Sequence, residues 1–383
     1  MTRDFLDIKL VNQTQSPMLY AHVTGRHESN NAMFLLEADG RTVRDLTSNG
    51  QELAPLGFSH AIPIGGPGAK KMVRVPRLAG GRIYFSKGRP LTFRVNPGPA
   101  LVEPSAMNET DPNYEGAWIF CELTFNSSEL YVNISNVDFV SIPVALKLEN
   151  DAGHFKHVSG LPAGGALKIA QRLEKLGGPW KKLVIRGSNG DLIRVLSPNS
   201  ALDAIPGLFK GHYSNYVDAV WKKYEHTDLW VDTQRSGWGV FKGRVRNGKL
   251  HFTGKYEFDF QKPSTKDIFS CDTGPFAVRV SPPNDYEQAR LNVGARIAAA
   301  FNRTTLLVNN QQPHKERVAS FYREKPVNYF ARICHEVSIA GRGYAFPYDD
   351  VLPVGAIDQS GSISDPNPKI LKVTVGGVER ADL

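Results

Sequence analysis

Apolar and polar residues alternate in short runs over the first 150 or so residues, with frequent Gly, Pro and Asn between them: FLDIKLVNQT, KMVRVPR, GRIYFS, LTFRVN. Successive side chains on a strand point to opposite faces, so a period of two predicts an antiparallel β region. From about residue 151 the texture changes. Gly164 to Leu176 carries a helical stripe closed by Gly177-Gly178, and the strand-like segments KKLVIRG and DLIRVLSP follow. Helical patterns recur over His212 to Tyr224, Asp285 to Phe301 and Lys315 to Tyr322, with strands expected over Leu229 to Val231, Gly239 to Val245 and Leu250 to Phe260. Beyond about Ser338 the β texture returns in YAFPYDD and ILKVTVGG. The expected fold class is β-rich α+β: residues 1–150 and 337–383 form an antiparallel β-barrel or sandwich domain, and residues 151–336 form a mixed α/β domain inserted into it. A wide groove between the two is the expected ligand site, since such sites favour domain interfaces.

Composition changes this picture little. A chain of 383 residues is long enough for two domains with buried cores. No run approaches the ~20 apolar residues of a membrane span, so a soluble protein with no membrane partner is expected. The net charge of +8 raises the question of an anionic partner, but Lys and Arg are spread along the sequence. Pairs such as Lys70-Lys71, Lys181-Lys182 and Lys222-Lys223 read as solvated surface, with no nucleic-acid partner expected, and the charge as an aid to solubility or to weak adhesion to anionic cell walls. Three cysteines, Cys121, Cys271 and Cys334, allow at most one intramolecular disulfide, so the fold must hold by core packing. The opening MTRDFLDIKL shows no apolar leader segment and no cleavage site. Sequons at Asn12, Asn108, Asn126, Asn133 and Asn302 matter only in a secreted protein.

The chemistry concentrates between Trp118 and Pro143, WIFCELTFNSSELYVNISNVDFVSIP, where two β-patterned segments carry Glu122 and Asp138 sixteen residues apart. Alternation puts Trp118, Phe120, Glu122, Thr124 and Asn126 on one face and Ile119, Cys121, Leu123 and Phe125 on the other. The first set offers an acid, a hydroxyl, an amide and two rings, as a groove for an uncharged, polyhydroxylated polymer would. Tyr131 and Ser135 on the next segment are further candidates to line it. Taken alone, a Glu on a strand is more often solvated than catalytic. Glycoside hydrolysis needs a protonated carboxyl at the leaving oxygen and a second carboxylate to activate water or attack the sugar. A plain hairpin would set Glu122 opposite Asn133 or Ile134 and leave Asp138 roughly 13 Å further along, so a bulge or barrel curvature is needed to bring it back.

The same stretch resembles the family 64 glycoside hydrolases, the laminaripentaose-producing β-1,3-glucanases. So do LAGGRIYF (Leu78 to Phe85), KPSTKDIFSCDTGP (Lys262 to Pro275) and RICHEVSIAGRGYAFPYDDVLPVGAID (Arg332 to Asp358). The first and last of these also resemble segments of thaumatin-like proteins, where a GRIW-type strand and a YDD-type strand belong to the β-barrel. The resemblance implies a β-1,3-glucanase that acts by inversion and releases short laminari-oligosaccharides, with Glu122 as general acid and Asp138 as general base. It implies that Thr124 and Asn126 contact the glucan, that one of Asp349 and Asp350 faces it from a thaumatin-like acidic cleft, and that the protein works outside the cell. For those roles Glu122 should stay protonated, through burial against Trp118 and Phe120, while Asp138 stays ionised. A monomer with no cofactor and no metal is expected. A non-catalytic thaumatin-like glucan-binding protein is the alternative.

Other features carry less. Of the tryptophans in the inserted block, Trp238 in the loop SGWGV is the stacking candidate, and Trp180, Trp221 and Trp230 read mainly as core. GGPGAKK lacks the GK[ST] ending of a phosphate loop. No HExxH, CxxC or GxSxG occurs, and His335 reads as a core histidine.

Overall fold

The computed structural model describes residues 2–356 and 358–377, and the chain forms two compact units. The first comprises the residues up to Leu196, Cys334–Tyr344 and those from Ser360 on; the second comprises Ser197–Ile333 and Ala345–Gln359. The division therefore falls at Leu196 and not near residue 150. Strand pairing is the reason. Phe155–Val158 pairs with Val144–Asn150, and Leu192–Leu196 pairs with Phe139–Val140, so the helix Gly165–Leu176 is flanked on both sides by strands of the first unit. The C-terminal part also divides differently from expectation. Backbone bonds from Ile339 N to Gly160 O (2.8 Å) and from Asn136 N to Tyr344 O (2.9 Å) tie 334–344 to the first unit. Residues 345–359 belong to the second, where buried Arg303 donates to the carbonyl of Asp349 at 2.8 Å and pairs with its carboxylate at 3.2 Å.

Two sheets dominate the first unit. A five-stranded sheet runs in the order Phe155–Val158, Val144–Asn150, Pro368–Val375, Phe5–Asn12, Lys70–Pro76, and all its neighbours are antiparallel except the parallel pair Phe5–Asn12 and Pro368–Val375. An eight-stranded antiparallel sheet has Ser362–Asp365, Leu130–Ile134, Trp118–Phe125, Leu78–Lys87 and Leu19–His27 as consecutive members. The alternation read from the sequence is what these strands use: Ile8, Leu10, Val73, Leu371 and Val373 on the first sheet are buried, as are Val23, Ile83, Cys121 and Val132 on the second. All three cysteines are buried free thiols.

The second unit is mixed. It has a five-stranded sheet built on Leu229–Asp232, Val240–Arg246 and Lys249–Thr253, with the helices Ser214–Tyr224 and Asp285–Arg303. The strand expected over Leu250 to Phe260 is broken into Lys249–Thr253 and Phe258–Phe260. Gly254 sits in the break, where a β-carbon would come within 2.7 Å of the Phe241 ring. Lys315 to Tyr322 holds only a 3-10 turn at Val318–Ser320, because Lys315 and Tyr322 both take positive φ and end any helix there. Tyr348 to Asp350, expected as a strand, is a turn in the second unit. Tyr329–Val337 is a helix that the sequence reading does not anticipate. No helix among the described residues is long and apolar enough to cross a membrane.

Candidate active site

On the eight-stranded sheet Glu122 lies opposite Asn133 on one side and Arg82 on the other. The hairpin register is thus the expected one. The far end of the Glu122 face is not open as expected. Trp118 and Phe120 are both buried, because a layer of aromatic side chains covers that end: Tyr84 meets Phe93 edge-on at 5.3 Å, and Trp118 meets Phe139 at 4.7 Å. The face opens to solvent only from Glu122 onward, as the burial pattern along Trp118–Phe125 records.

Asp138 reaches this place by a route the sequence reading did not foresee. No bulge returns it along the hairpin. The chain leaves the sheet after Ile134, bends at Val137 and Asp138, and enters a different sheet at Phe139, whose ring is buried. This brings Asp138 close enough to Glu122, Glu103 and Arg82 for each of their charges to act on its carboxyl. Burial pushes the Asp138 carboxyl above the usual aspartate range; Arg82 opposes that shift, and Glu122 and Glu103 add to it. The burial expected of Glu122 is therefore strongest at Asp138. Glu122 itself is about a third exposed, accepts a long contact from Arg82 Nε at 3.4 Å, and has the Asn133 amide at 3.5 Å.

Three residues of this group, Arg82, Tyr84 and Glu103, were missed in the sequence. Arg82 bridges the acids, with Nη1 donating to Glu103 Oε2 at 3.0 Å while Nε faces Glu122, and its guanidinium lies 4.7 Å from the Phe120 ring centroid. Tyr84 donates its hydroxyl to Glu103 Oε1 at 2.6 Å. Arg82 and Tyr84 share a face in GRIYF and could have been read from alternation; Glu103 lies just past a short strand, where no periodicity marks it. Replacing Glu103 by Gln removes one of the charges that raise the Asp138 carboxyl and leaves Arg82 less neutralised, so both changes lower it. The acid limb of the kcat/KM profile should move to lower pH, with kcat down about tenfold. A merely structural role for Glu103 would leave that limb where it is.

The other candidates are dispersed. Thr124 lies opposite Tyr131 on the Glu122 face, and Ser364 lies opposite Tyr131 on the next strand, so hydroxyls continue the row outward. Asn126 is a turn residue, its side-chain oxygen accepting from the backbone N–H of Ser128 and Glu129 at 2.8 and 2.9 Å. Ser135 is buried in a small cavity beside Phe120 and Asn136. Trp238 belongs to the second unit, where its indole N–H donates to Asp285 at 2.9 Å. Asp349 is buried against Arg303 and also accepts from the Ala345 N–H at 3.0 Å, a structural role, while neighbouring Asp350 is exposed in the same turn. Trp180 and Trp221 are buried, but Trp230 is 40% exposed with Lys242 above its ring, a departure from the core reading. Of the sequons, Asn12, Asn133 and Asn302 are buried side chains. His335 bonds the Gly341 carbonyl at 2.8 Å.

Comparison with known proteins gives a consistent result. A family described as β-1,3-glucanase, glycoside hydrolase family 64, matches residues 4–375. The glucan endo-1,3-β-glucosidases of Arthrobacter sp. (strain YCWD3) and Cellulosimicrobium cellulans are each 30% identical over 283 residues, which is 73% of this chain and 50% of theirs. The chain thus spans about half the length of these curated relatives. A laminaripentaose-producing β-1,3-glucanase solved in complex with laminaritetraose superposes with a TM-score of 0.86 at 29% identity, over 97% of this chain and 98% of that one. A β-1,3-glucanase domain from Clostridium beijerinckii shares the fold, with a TM-score of 0.76 at 22% identity over 97% and 98% of the two chains. With a β-rich, antiparallel architecture matched over nearly its whole length, the chain belongs to glycoside hydrolase family 64, the β-1,3-glucanases.

Proposed function

We propose that this protein hydrolyses β-1,3-glucan by an inverting acid–base mechanism and releases short laminari-oligosaccharides. The observation that carries the reading is that Glu122 pairs with Arg82 at the open end of a sheet face while Asp138, from a separate segment, lies near enough to feel the charges of both. Glu122 is the general acid that protonates the leaving oxygen; Asp138 is the general base that takes a proton from the attacking water. A raised carboxyl suits the second role, because a stronger base accepts that proton more readily so long as it is ionised at the working pH. Thr124, Tyr131 and the hydroxyl of Ser364 offer hydrogen-bond partners to sugar hydroxyls beyond Glu122. The first unit is a thaumatin-like β-domain, and the enzyme acts outside the cell as a monomer. The purely binding reading is not favoured: a glucan held but not cut requires no second carboxylate beside the first.

Product analysis of linear β-1,3-glucan digestion, by mass and by anomeric NMR at early times, tests this. Short α-configured oligomers are expected from the wild type; β-configured first products would overturn inversion, and bound but uncut glucan would overturn hydrolysis. The pH profile is a second check. Asp138 must be ionised to act as base, and its carboxyl is raised from 3.8, so the acid limb of kcat/KM should lie above the ordinary aspartate range.

A further inference from the structure

Lysines that look scattered along the sequence are brought into line on the outer face of the five-stranded sheet. The register puts His157 opposite Lys147, Lys147 opposite Lys372 and Lys372 opposite Lys9. Four adjacent strands thus contribute one row of basic side chains, spaced about 4.8 Å from strand to strand. Lys147, His157 and Lys372 are exposed and Lys9 is half-buried, while Ile8, Leu146, Leu148 and Leu371 beside them point to the core. The acids of the same face lie in the next row and are already engaged. Asp7 takes a two-pronged pair from Arg74 at 2.7 and 2.8 Å, and Glu149 pairs with Lys369 at 2.5 Å. Among the described residues, no carboxylate lies within ion-pairing distance of Lys9, Lys147 or Lys372.

Like charges directly opposite on neighbouring strands destabilise a sheet. Nothing described within the sheet offsets the row, and an external anion would. The row is also shaped at one end. A depression of about 360 Å³ is lined there by Gln13, Lys147, Phe155, His157, Lys372 and Thr374 among others, with the Lys147 ammonium 4.6 Å from the centroid of the largely exposed Phe155 ring.

We propose that this face is a second, non-catalytic glycan site that holds an acidic polysaccharide, a hexuronan with one carboxylate per sugar. A straight row of single charges fits a chain with one charge per repeat and a repeat close to the strand spacing. The amide of Gln13, the hydroxyl of Thr374 and the apolar plate of Phe155 suit sugar hydroxyls and ring faces, which a polyphosphate does not present. The site lies on a different sheet from Glu122 and does not rest on the glucanase reading. Its effect is to hold the protein on a wall that contains acidic polysaccharide.

Affinity electrophoresis of the full chain in gels containing polygalacturonate, neutral galactan or polyphosphate tests the assignment. Retardation by polygalacturonate, weakened by salt and absent with galactan, is the expected result. Lys147→Gln with Lys372→Gln should lower that affinity by about tenfold or more, while Lys182→Gln with Lys222→Gln, which removes the same charge elsewhere on the surface, should leave it unchanged. The row variant should melt no lower than the wild type, since it relieves a repulsion, and should keep wild-type turnover of soluble glucan. Equal loss in both double variants would mean attraction by net charge alone and overturn the site. Absence of retardation would overturn it too, and retardation by polyphosphate as strong as by polygalacturonate would overturn the uronan assignment.

Discussion

Glu122→Gln and Asp138→Asn are each expected to lower kcat/KM on linear β-1,3-glucan by about 10³-fold or more, since each removes a proton donor or acceptor for which the substitute amide cannot act. Stability separates this from a folding defect. A carboxyl raised on folding stabilises the protein when protonated, and that contribution is lost as the pH rises through the folded-state pKa. At neutral pH the ionised Asp138 therefore works against the fold, and Asp138→Asn should melt at or above the wild-type temperature. An inactive variant with an undiminished Tm and retained glucan binding meets the expectation; wild-type turnover in either variant would remove that carboxylate from the mechanism.

Arg194 carries the largest expected effect on stability. It is fully buried, and its guanidinium donates to the carbonyls of Ala106, Tyr114 and Gly116 at 2.8, 2.6 and 2.8 Å, between the rings of Tyr114, Trp118 and Phe139. Burial pulls its pKa down to about 10, against the charges of Tyr114 and nearby acids, so three carbonyls hold a cation at a real desolvation cost. Arg194→Met leaves those carbonyls without a partner and should cost about 3–5 kcal/mol. Arg194→Lys should rescue little, because an ammonium cannot present the planar fork that reaches all three. Chemical denaturation measures both. Because Phe139 adjoins Asp138, turnover under conditions where the variant is still folded should also fall; unchanged turnover would show that the bend is held without Arg194.

Much of the fold was legible in the sequence because it depends on local pattern. Alternation marks Phe5–Asn12, Lys70–Pro76 and Trp118–Phe125, and the stripe closed by Gly177 marks Gly165–Leu176. The failures occur where distant contacts outweigh that pattern. YAFPYDD reads as a strand, but Arg303, far off in sequence, holds Asp349 in a turn. Trp118 and Phe120 alternate like groove residues, yet the rings of Tyr84 and Phe139 close over them. Asn126 has the residue type of a sugar ligand, but its oxygen is already used by the turn.

The sequence by itself determined the family motifs and the strand periodicity and singled out Glu122 and Asp138 as candidates, since these are carried by residue type and near-neighbour spacing. It did not carry the convergence of those two carboxylates. That depends on the chain leaving the sheet after Ile134 and on Arg82 lying in register beside Glu122. Nor did it carry the alignment of Lys9, Lys147 and Lys372, whose neighbourhood exists only through the pairing of three strands far apart along the chain. Charges and pKa values respond to distance through space, and tertiary structure alone sets that distance.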